Sequence, residues 1–290
     1  MNLWNKDFSP MLLKEVDEPF NDKKYLFEIK YDGIRAIIFA SPKSLVIKSR
    51  NGLDITSLFP ELQSIIKLVK GNVIFDGEII LFNDKKISFS SLQKRIHLKN
   101  KKTIEFLSKT NPVVFIAFDC LYEDKDLIAY PLEKRKEYLN KYSDSDTFIK
   151  SKYIVGEGCK IFKIAQKLNL EGIIAKEKSS LYKINERSDV WLKIKNYKEG
   201  YFYILGYIEK EYIVVLFLGE IVNKKIKYVG KVSLSKKRSK WGEILKMKSI
   251  KLTYDFIKDK AAITIKPEIK CFVKYLEKTE NGILRQPFIP

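Results

Sequence analysis

Residues 28–35 read Glu28-Ile29-Lys30-Tyr31-Asp32-Gly33-Ile34-Arg35; an apolar run leads in at residues 26–29 and another leads out at residues 36–39. The two runs predict paired strands, and Asp32-Gly33 predicts the tight turn that joins them. Lysine is uncommon in strand interiors and is rarely buried without a partner. Lys30 is therefore either an exposed residue of a plain hairpin or a nucleophile whose neutral amine is favoured by burial and by neighbouring cations.

The composition favours a polyanionic partner. The chain has 290 residues, which suggests one large domain or two ordinary ones, and 45% of them are hydrophobic, enough for proper cores. Lys and Arg number 55 against 36 Asp and Glu, which gives a net charge of +19. A surplus of this size is most simply explained by nucleic-acid binding, although a lysine-rich surface from a compositionally biased genome is an alternative.

Cysteine and histidine are scarce, which argues against several kinds of site. Cys120, Cys159 and Cys271 are isolated and odd in number, so we expect neither a zinc site nor a disulfide framework, and we expect a reducing cytoplasm. His97 is the only histidine and lies in a polar run, so a Ser-His or Cys-His catalytic site is not expected. No signal peptide and no apolar stretch long enough to span a bilayer is present, so no membrane attachment is expected.

The first part of the chain, residues 1–198, mixes short apolar runs with segments of helical spacing. This pattern predicts antiparallel sheets packed with helices, an α+β domain. The predicted strands are residues 45–49, 73–82, 113–121 and 171–176, and the predicted helices are residues 57–70, 89–98, 131–142 and 157–169.

The second part of the chain, residues 199–290, is rich in strands and basic side chains. Five strands in about ninety residues predict a small β-barrel of the oligonucleotide-binding (OB) type. Residues 200–290 carry 19 basic and 9 acidic side chains, so this domain is the more basic per residue. The predicted strands are residues 201–208, 212–218, 226–234, 262–266 and 271–276, with a helix near residues 238–248.

Five further segments place charged or aromatic side chains beside apolar strand residues. They are Ser49-Arg50-Asn51-Gly52, Phe75-Asp76-Gly77-Glu78, Phe118-Asp119, residues 171–176 with Glu171 and Lys176, and residues 191–195 with Lys193 and Lys195. The two lysines of the last segment stand two residues apart, which puts them on the same face of a strand. Each segment alone is a weak signal, but their order along the chain is specific.

In this order the segments resemble the motif set of the covalent nucleotidyltransferases, and of the ATP-dependent DNA ligases in particular, over residues 10–200. Residues 10–13 and 282–288 are similar to the two ends of the ligases that bacteria use in double-strand-break repair, and residues 89–95 to a stretch common in DNA ligases. The resemblance implies an adenylation (nucleotidyltransferase) domain at residues 1–198 and an OB-fold DNA-binding domain at residues 199–290. It implies sealing of nicks or breaks in duplex DNA, for repair or replication, through a lysyl-AMP and an adenylated DNA 5′-phosphate.

The resemblance also assigns roles around the phosphates of ATP. Lys30 would attack the α-phosphorus, and Lys193 and Lys195 would hold the α-phosphate. Glu78 and Glu171 would be oxygen ligands of Mg²⁺, and Glu78 would also touch the ribose.

The remaining roles concern the base, the ribose and the leaving group. Phe118 would stack on adenine, and Glu28 would accept a hydrogen bond from its amino group. Arg35 and Arg50 would contact ribose or phosphates, and Arg285 would orient the departing pyrophosphate. Lys176 stays open between a surface residue and a phosphate contact.

The expected partner is duplex DNA with nicks or ends. A clamp at Lys231, Lys236, Lys237, Arg238 and Lys240 would contact phosphates without sequence preference. By resemblance alone, a Ku-like end-binding protein is a further partner, and we expect a monomer in the cytoplasm, associated with the nucleoid.

Two alternatives to a DNA ligase stay open at this point. An RNA ligase or an mRNA capping guanylyltransferase shares most of these motifs, although residues 89–95 and 284–287 favour the DNA class. A non-catalytic nucleic-acid-binding protein of the same fold would be expected to lose reactive residues, yet Lys30, Glu78 and Glu171 are all present.

Overall fold

The computed structural model describes residues 2–84, 86–236, 254–259 and 261–290. The chain divides into two compact units, Met1–Asn196 and Tyr197–Pro290. The first unit combines sheets with helices and the described part of the second is built of strands, so the predicted α+β class is confirmed. The helix predicted near residues 238–248 lies outside the described residues. Across the described ranges, no helix is both long enough and apolar enough to cross a membrane.

The first unit contains two sheets with helices packed against them. Its strands are β1 (Leu12–Glu15), β2 (Tyr25–Lys30), β3 (Ile34–Ala40), β4 (Leu45–Ser49), β5 (Val73–Asn83), β6 (Lys86–Ile87), β7 (Val113–Glu123), β8 (Phe148–Lys150), β9 (Tyr153–Val155), β10 (Gly172–Glu177) and β11 (Arg187–Lys195). Its helices are α1 (Phe89–Ile96), α2 (Lys101–Thr110), α3 (Leu132–Asn140) and α4 (Gly158–Lys167), with 3-10 helices at Leu3–Asn5, Thr56–Leu58 and Pro60–Leu68.

The strand order explains how distant segments meet. The first sheet has the order β1-β11-β10-β2-β9, and the second sheet has the order β4-β3-β5-β7-β8. Neighbouring strands are antiparallel, as predicted, except for β1 with β11 and β7 with β8, which are parallel. A parallel pair needs a long connection between its strands, and here α3 lies between β7 and β8.

Residues 57–70 do not form the predicted α-helix. Two 3-10 helices, Thr56–Leu58 and Pro60–Leu68, cover most of this range and are separated by the fully buried Phe59. Leu62 and Ile65 are fully buried and stand three residues apart, the spacing that aligns side chains on one side of a 3-10 helix. Conversely, no helix is predicted at Lys101–Thr110, yet α2 forms there.

The register of the first sheet aligns the lysines. β10 pairs antiparallel with β2 and with β11, and Gly172 lies opposite Lys30 on one side and opposite Lys195 on the other. Directly opposed residues point to the same face, so the two lysines share a face, with backbones about 10 Å apart. Gly172 has a φ of +149°, and a Cβ there would lie 2.1 Å from the carbonyl oxygen of Ile194, so only glycine fits between them.

The second unit is a curled sheet of the OB type. β12 pairs with β13 on one side and with β15 and β16 on the other, and its inward side chains form a separate hydrophobic core. Each of the five predicted strands overlaps an observed one. The strands are β12 (Lys198–Glu209), β13 (Ile213–Val222), β14 (Lys225–Ser235), β15 (Ile263–Thr264), β16 (Lys270–Tyr275), β17 (Glu277–Lys278) and β18 (Leu284–Arg285).

Candidate active site

Lys30 ends β2 with its amine against a carboxylate. Its Nζ donates a hydrogen bond to Oε2 of Glu171 at 2.7 Å, and the two side chains are 19% and 8% exposed. Glu171 directly precedes β10, so the pairing that puts Gly172 opposite Lys30 also brings the carboxylate to the amine. A lysine must lose a proton before it can attack, and this carboxylate is within reach to accept it.

Glu78 lies on β5, directly opposite Arg35 on β3. Burial raises the pKa of Glu78 to about 7; the charges of Lys30 and Arg35 act to lower it, and that of Glu171 acts with burial to raise it. Glu78 therefore gains or loses its proton near neutral pH, and a metal cation beside it would favour the ionised form.

The predicted magnesium ligands, Glu78 and Glu171, both interact with Lys30. Within the described part of the chain, no group of three or more His, Cys, Asp or Glu side chains could hold a metal. Mg²⁺ is usually held by one or two carboxylates together with substrate phosphates and water. Two carboxylates, one of them raised in pKa by burial, fit such a shared site.

Lys193 and Lys195 extend from β11 towards Glu15 on the neighbouring β1. Their Nζ atoms lie 3.0 Å and 3.3 Å from Oε2 of Glu15, whose side chain is 35% exposed. We call Lys30, Glu171, Lys193, Lys195 and Glu15 the partly exposed cluster. Ion pairs that reach solvent are weak, so a phosphate can take over these lysines from Glu15.

Glu28 lies two residues before Lys30 on the same face, in a buried cluster with Lys136 and Lys176. Its Oε1 accepts a hydrogen bond from Lys136 of α3; its Oε2 accepts from Lys176 of β10 at 2.9 Å and from Oγ of Ser151 at 3.2 Å. Each of the three charged side chains is at most 2% exposed.

Burial and the neighbouring charges shift the pKa values of Glu28 and Lys176 in the buried cluster. Burial acts to raise the pKa of Glu28, but the ammonium groups of Lys136 and Lys176 outweigh it and the pKa is lowered. Burial lowers the pKa of Lys176 to about 8, although Glu28 acts in the opposite direction. Glu28 is therefore a fixed anion at neutral pH.

Phe118 lies in the core between the two sheets and is only 5% exposed. Cζ of Arg35 lies 4.6 Å from its ring centroid and Nζ of Lys176 lies 4.0 Å from it. Lys176 also lies 4.3 Å from the ring centroid of Trp191, which packs edge-on against Phe118. The ring of Phe118 is thus in contact with two cationic side chains and with Trp191.

Arg35 is held by the second sheet. Its Nε and Nη2 donate to Oδ1 and Oδ2 of the buried Asp76 at 2.6 Å and 2.7 Å, and the hydroxyl of Tyr182 donates to the same Oδ2 at 2.6 Å. Burial acts to lower the pKa of Arg35, but Asp76 outweighs it and the pKa is raised above its usual range. The Nε–Nη2 edge of the guanidinium thus binds Asp76. A contact with ribose or phosphate would be made by the other edge of the guanidinium.

The other two predicted arginines lie in a turn of the first unit and on a strand of the second unit. Arg50 is exposed in the turn that follows β4. Arg285 lies on β18 of the second unit, where its Nη1 donates to Glu277 at 3.0 Å.

The predicted DNA clamp is described in part. Lys231 is exposed on β14, and Lys236, just beyond it, pairs with Glu209 at 2.8 Å. Lys237, Arg238 and Lys240 lie outside the described residues.

Lys136 is absent from the sequence-based predictions. Lys176, left open there between a surface residue and a phosphate contact, is not a surface residue, because it is buried against Glu28. Lys136 stands in the charged run of α3, which reads as a solvated helix. A signal was available: Leu132, Arg135, Lys136 and Leu139 follow the spacing of one helical face, and all four are buried.

The chain is similar in sequence to known DNA ligases. A family model described as ATP dependent DNA ligase domain matches residues 10–195. The chain is 32% identical over 284 residues to the SPbeta prophage-derived DNA ligase-like protein LigB of Bacillus subtilis, and covers 96% of each protein. It is 28% identical over 299 residues to the multifunctional non-homologous end joining protein LigD of Mycolicibacterium smegmatis, but spans 38% of that longer protein.

Solved structures share the fold. The ligase domain from M. tuberculosis LigD superposes with a TM-score of 0.60 at 24% identity, covering 100% of this chain and 95% of that one. A Lig E DNA ligase described as a minimal DNA-binding scaffold superposes with a TM-score of 0.67 at 16% identity, covering 98% and 99%.

Proposed function

Because this chain belongs to the ATP-dependent DNA ligase family, we propose that Lys30 is the residue that carries AMP during the joining of DNA strands. The observation that supports this proposal most is the Lys30–Glu171 pair, set beside Glu78 and one glycine away from Lys195 on the same sheet face. An amine, a proton acceptor and phosphate-binding cations are the groups that phosphoryl transfer requires.

In the first step, Nζ of Lys30 attacks the α-phosphorus of ATP. A nitrogen–phosphorus bond forms, the bond from the α-phosphorus to the bridging oxygen breaks, and pyrophosphate leaves. Glu171 takes the proton that Lys30 releases, since it already accepts the hydrogen bond from that amine. Lys193 and Lys195 leave Glu15 for the α-phosphate and balance the charge that develops there.

Two displacements then complete the reaction. An oxygen of the DNA 5′-phosphate attacks the same phosphorus, the nitrogen–phosphorus bond breaks, and the proton held by Glu171 returns to the Lys30 amine, so that the DNA carries AMP. The 3′-hydroxyl next loses its proton to solvent and attacks the 5′-phosphorus; the bond from that phosphorus to the AMP oxygen breaks, AMP leaves and the strands are joined. Lys30 is regenerated, so one lysine serves every cycle.

ATP is the co-substrate of this family and Mg²⁺ its metal. Glu78 and Glu171 would hold the metal, which when bound neutralises phosphate charge. On the base side, we assign Phe118 to adenine stacking and Glu28 to its amino group. Arg35 and Arg50 are assigned to ribose and phosphates, and Arg285 to the pyrophosphate.

The DNA-binding role belongs in this proposal to an OB-fold domain at residues 199–290, with the adenylation domain at residues 1–198. Relatives named for non-homologous end joining suggest that broken duplexes are substrates beside nicks. A Ku-like end-binding partner, a monomeric state and a nucleoid-associated place in the cytoplasm are the finer parts of the proposal.

The test of the proposal is covalent labelling. Protein incubated with Mg²⁺ and α-labelled ATP and then denatured should retain label, and Lys30→Ala should retain none. Lys14→Ala is the matched control, because Lys14 is an exposed lysine of the same sheet, paired with Asp189 at 3.1 Å. Label that survives in Lys30→Ala would reject Lys30 as the carrier. Nicked DNA offered beside nicked RNA, and GTP beside ATP, would separate this activity from RNA ligation and capping.

A further inference from the structure

The buried cluster pairs two ammonium groups with one carboxylate. Glu28 is neutralised by a single lysine, yet both Lys136 and Lys176 bind it, and all three side chains are shielded from water. Burying a second ammonium costs solvation free energy, and this cost raises the question of a role for the second lysine beyond packing.

The two lysines reach Glu28 from different elements. Lys136 comes from α3 and binds Oε1, whereas Lys176 comes from β10 and, with Ser151, binds Oε2. A carboxylate has about four acceptor positions, and these contacts occupy three of them. The position that is left lies on Oε1, the oxygen that Lys136 holds.

A carboxylate tied at both oxygens has one orientation. If Lys136 were absent, Lys176 and Ser151 would still hold Oε2, and Oε1 would be free to turn about that anchor. Hydrogen-bond recognition depends on donor and acceptor lying in line, so an acceptor that turns loses its selectivity.

We propose that Lys136 is a positioning residue for recognition of the nucleotide base and acts through Glu28; the inference rests on the proposed function of this site. By fixing Oε1, Lys136 aims an acceptor at the amino group on C6 of adenine. Guanine carries a carbonyl oxygen at that place, which the carboxylate repels. A site built to bind a polar group discriminates strongly against analogues without it.

The first experiment measures the rate of labelling of Lys30 at varied ATP and GTP concentrations. For Lys136→Met, KM for ATP should rise by about tenfold or more and the preference for ATP over GTP should fall by a similar factor, with kcat at saturating ATP changed less than about threefold. Lys136→Arg, which restores the cation, should stay within about threefold of the wild type in each value.

The matched control is Lys134→Met on the same helix. Lys134 is half exposed and pairs with Glu137, so this variant should behave as the wild type. A purely structural role for Lys136 would lower the melting temperature while leaving KM and the ATP preference unchanged. Lys136→Met with both values within twofold of the wild type overturns the proposal.

A second experiment uses the triphosphate of purine riboside, which is ATP without its 6-amino group. The wild type should prefer ATP over this analogue by about tenfold or more, and Lys136→Met should show no preference because the aimed acceptor is lost. An undiminished preference in Lys136→Met rejects an action through Glu28. If Lys136→Met fails to fold, Lys136→Leu, which also removes the hydrogen-bond donor, is compared in the same way.

These outcomes are separable from those of the proposed function. If wild-type protein takes up no label on Lys30, the proposed function fails. The inference about Lys136 fails only when the wild type is labelled and the variants match it.

Discussion

One face of the first sheet carries two charged clusters that differ in burial. Glu28, Lys136 and Lys176 are at most 2% exposed, and each binds groups of the protein. The partly exposed cluster begins two residues further along the same strand, at Lys30. It reaches solvent at Glu15. This difference in burial suits two different roles. Charged side chains with fixed partners can recognise a base, and ion pairs that exchange partners can bind phosphates that arrive and leave.

The largest expected effect is on stability and tests the burial difference directly. Glu28→Gln leaves two buried ammonium groups facing a neutral amide and should lower the free energy of unfolding by about 3–5 kcal/mol. Glu15→Gln removes the matching carboxylate of the partly exposed cluster and should cost less than about 1 kcal/mol. Urea unfolding of both variants measures this. Equal losses would show that the two clusters do not differ as the burial suggests.

Lys195→Met should slow the reaction strongly while changing the stability little. It removes a cation that we propose binds the α-phosphate, so lysyl-AMP formation should slow by about 10²-fold, equivalent to about 3 kcal/mol of transition-state stabilisation. The free energy of unfolding should change by less than about 1 kcal/mol, because Glu15 keeps Lys193. Lys14→Met, at an exposed lysine of the same sheet that pairs with Asp189, is the control. A loss of rate below tenfold would remove Lys195 from the phosphate site.

Much of the partly exposed cluster can be predicted from the sequence, because alternate residues of a strand point to the same face. Lys193 and Lys195 alternate on one strand, and Glu171 with Gly172 opens another, so motif order and period-two spacing suffice to group them. Lys136 is different. Its role depends on where α3 lies against the first sheet, and a charged helix run gives no pairing register. Its helical spacing with Leu132 and Leu139 predicts an inward face but not Glu28 as its partner.

Other elements show the same limit. The apolar pattern at residues 57–70 fits an α-helix and a 3-10 helix almost equally, and packing of Leu62 and Ile65 under the second sheet decides between them. Asp76 reads as a strand carboxylate, yet Arg35 and Tyr182 bind it from separate segments. Contacts of this kind become visible only when the sheets are assembled.

The raised pKa of Glu78 makes the free energy of unfolding depend on pH. Its pKa is about 7 in the folded state, against 4.5 without the fold. The folded protein therefore holds a proton that the unfolded chain gives up, and stability falls as pH rises from about 4.5 to 7. Glu78→Gln has no such proton, so it should match the wild type at pH 4.5 and exceed it by about 2–3 kcal/mol at pH 8.

Urea unfolding at both pH values tests this expectation. Glu186→Gln, at an exposed carboxylate, should show no such gain between the two pH values. A Glu78→Gln gain that is constant with pH would mean that Glu78 stays ionised throughout.

The smallest expected effect extends the comparison to a fully exposed charge. Lys231 on β14 is exposed, and we propose it as a phosphate contact of the duplex clamp. One phosphate contact contributes about 0.9 to the slope of log affinity against log salt, so Lys231→Ala should make that slope shallower by about 1 without changing sequence preference. Fluorescence anisotropy of nicked DNA at several salt concentrations measures the slope, with Lys134→Ala as a charge-matched control. A slope unchanged in Lys231→Ala would take Lys231 out of the clamp, because the loss of a phosphate contact must lower the number of counterions released on binding.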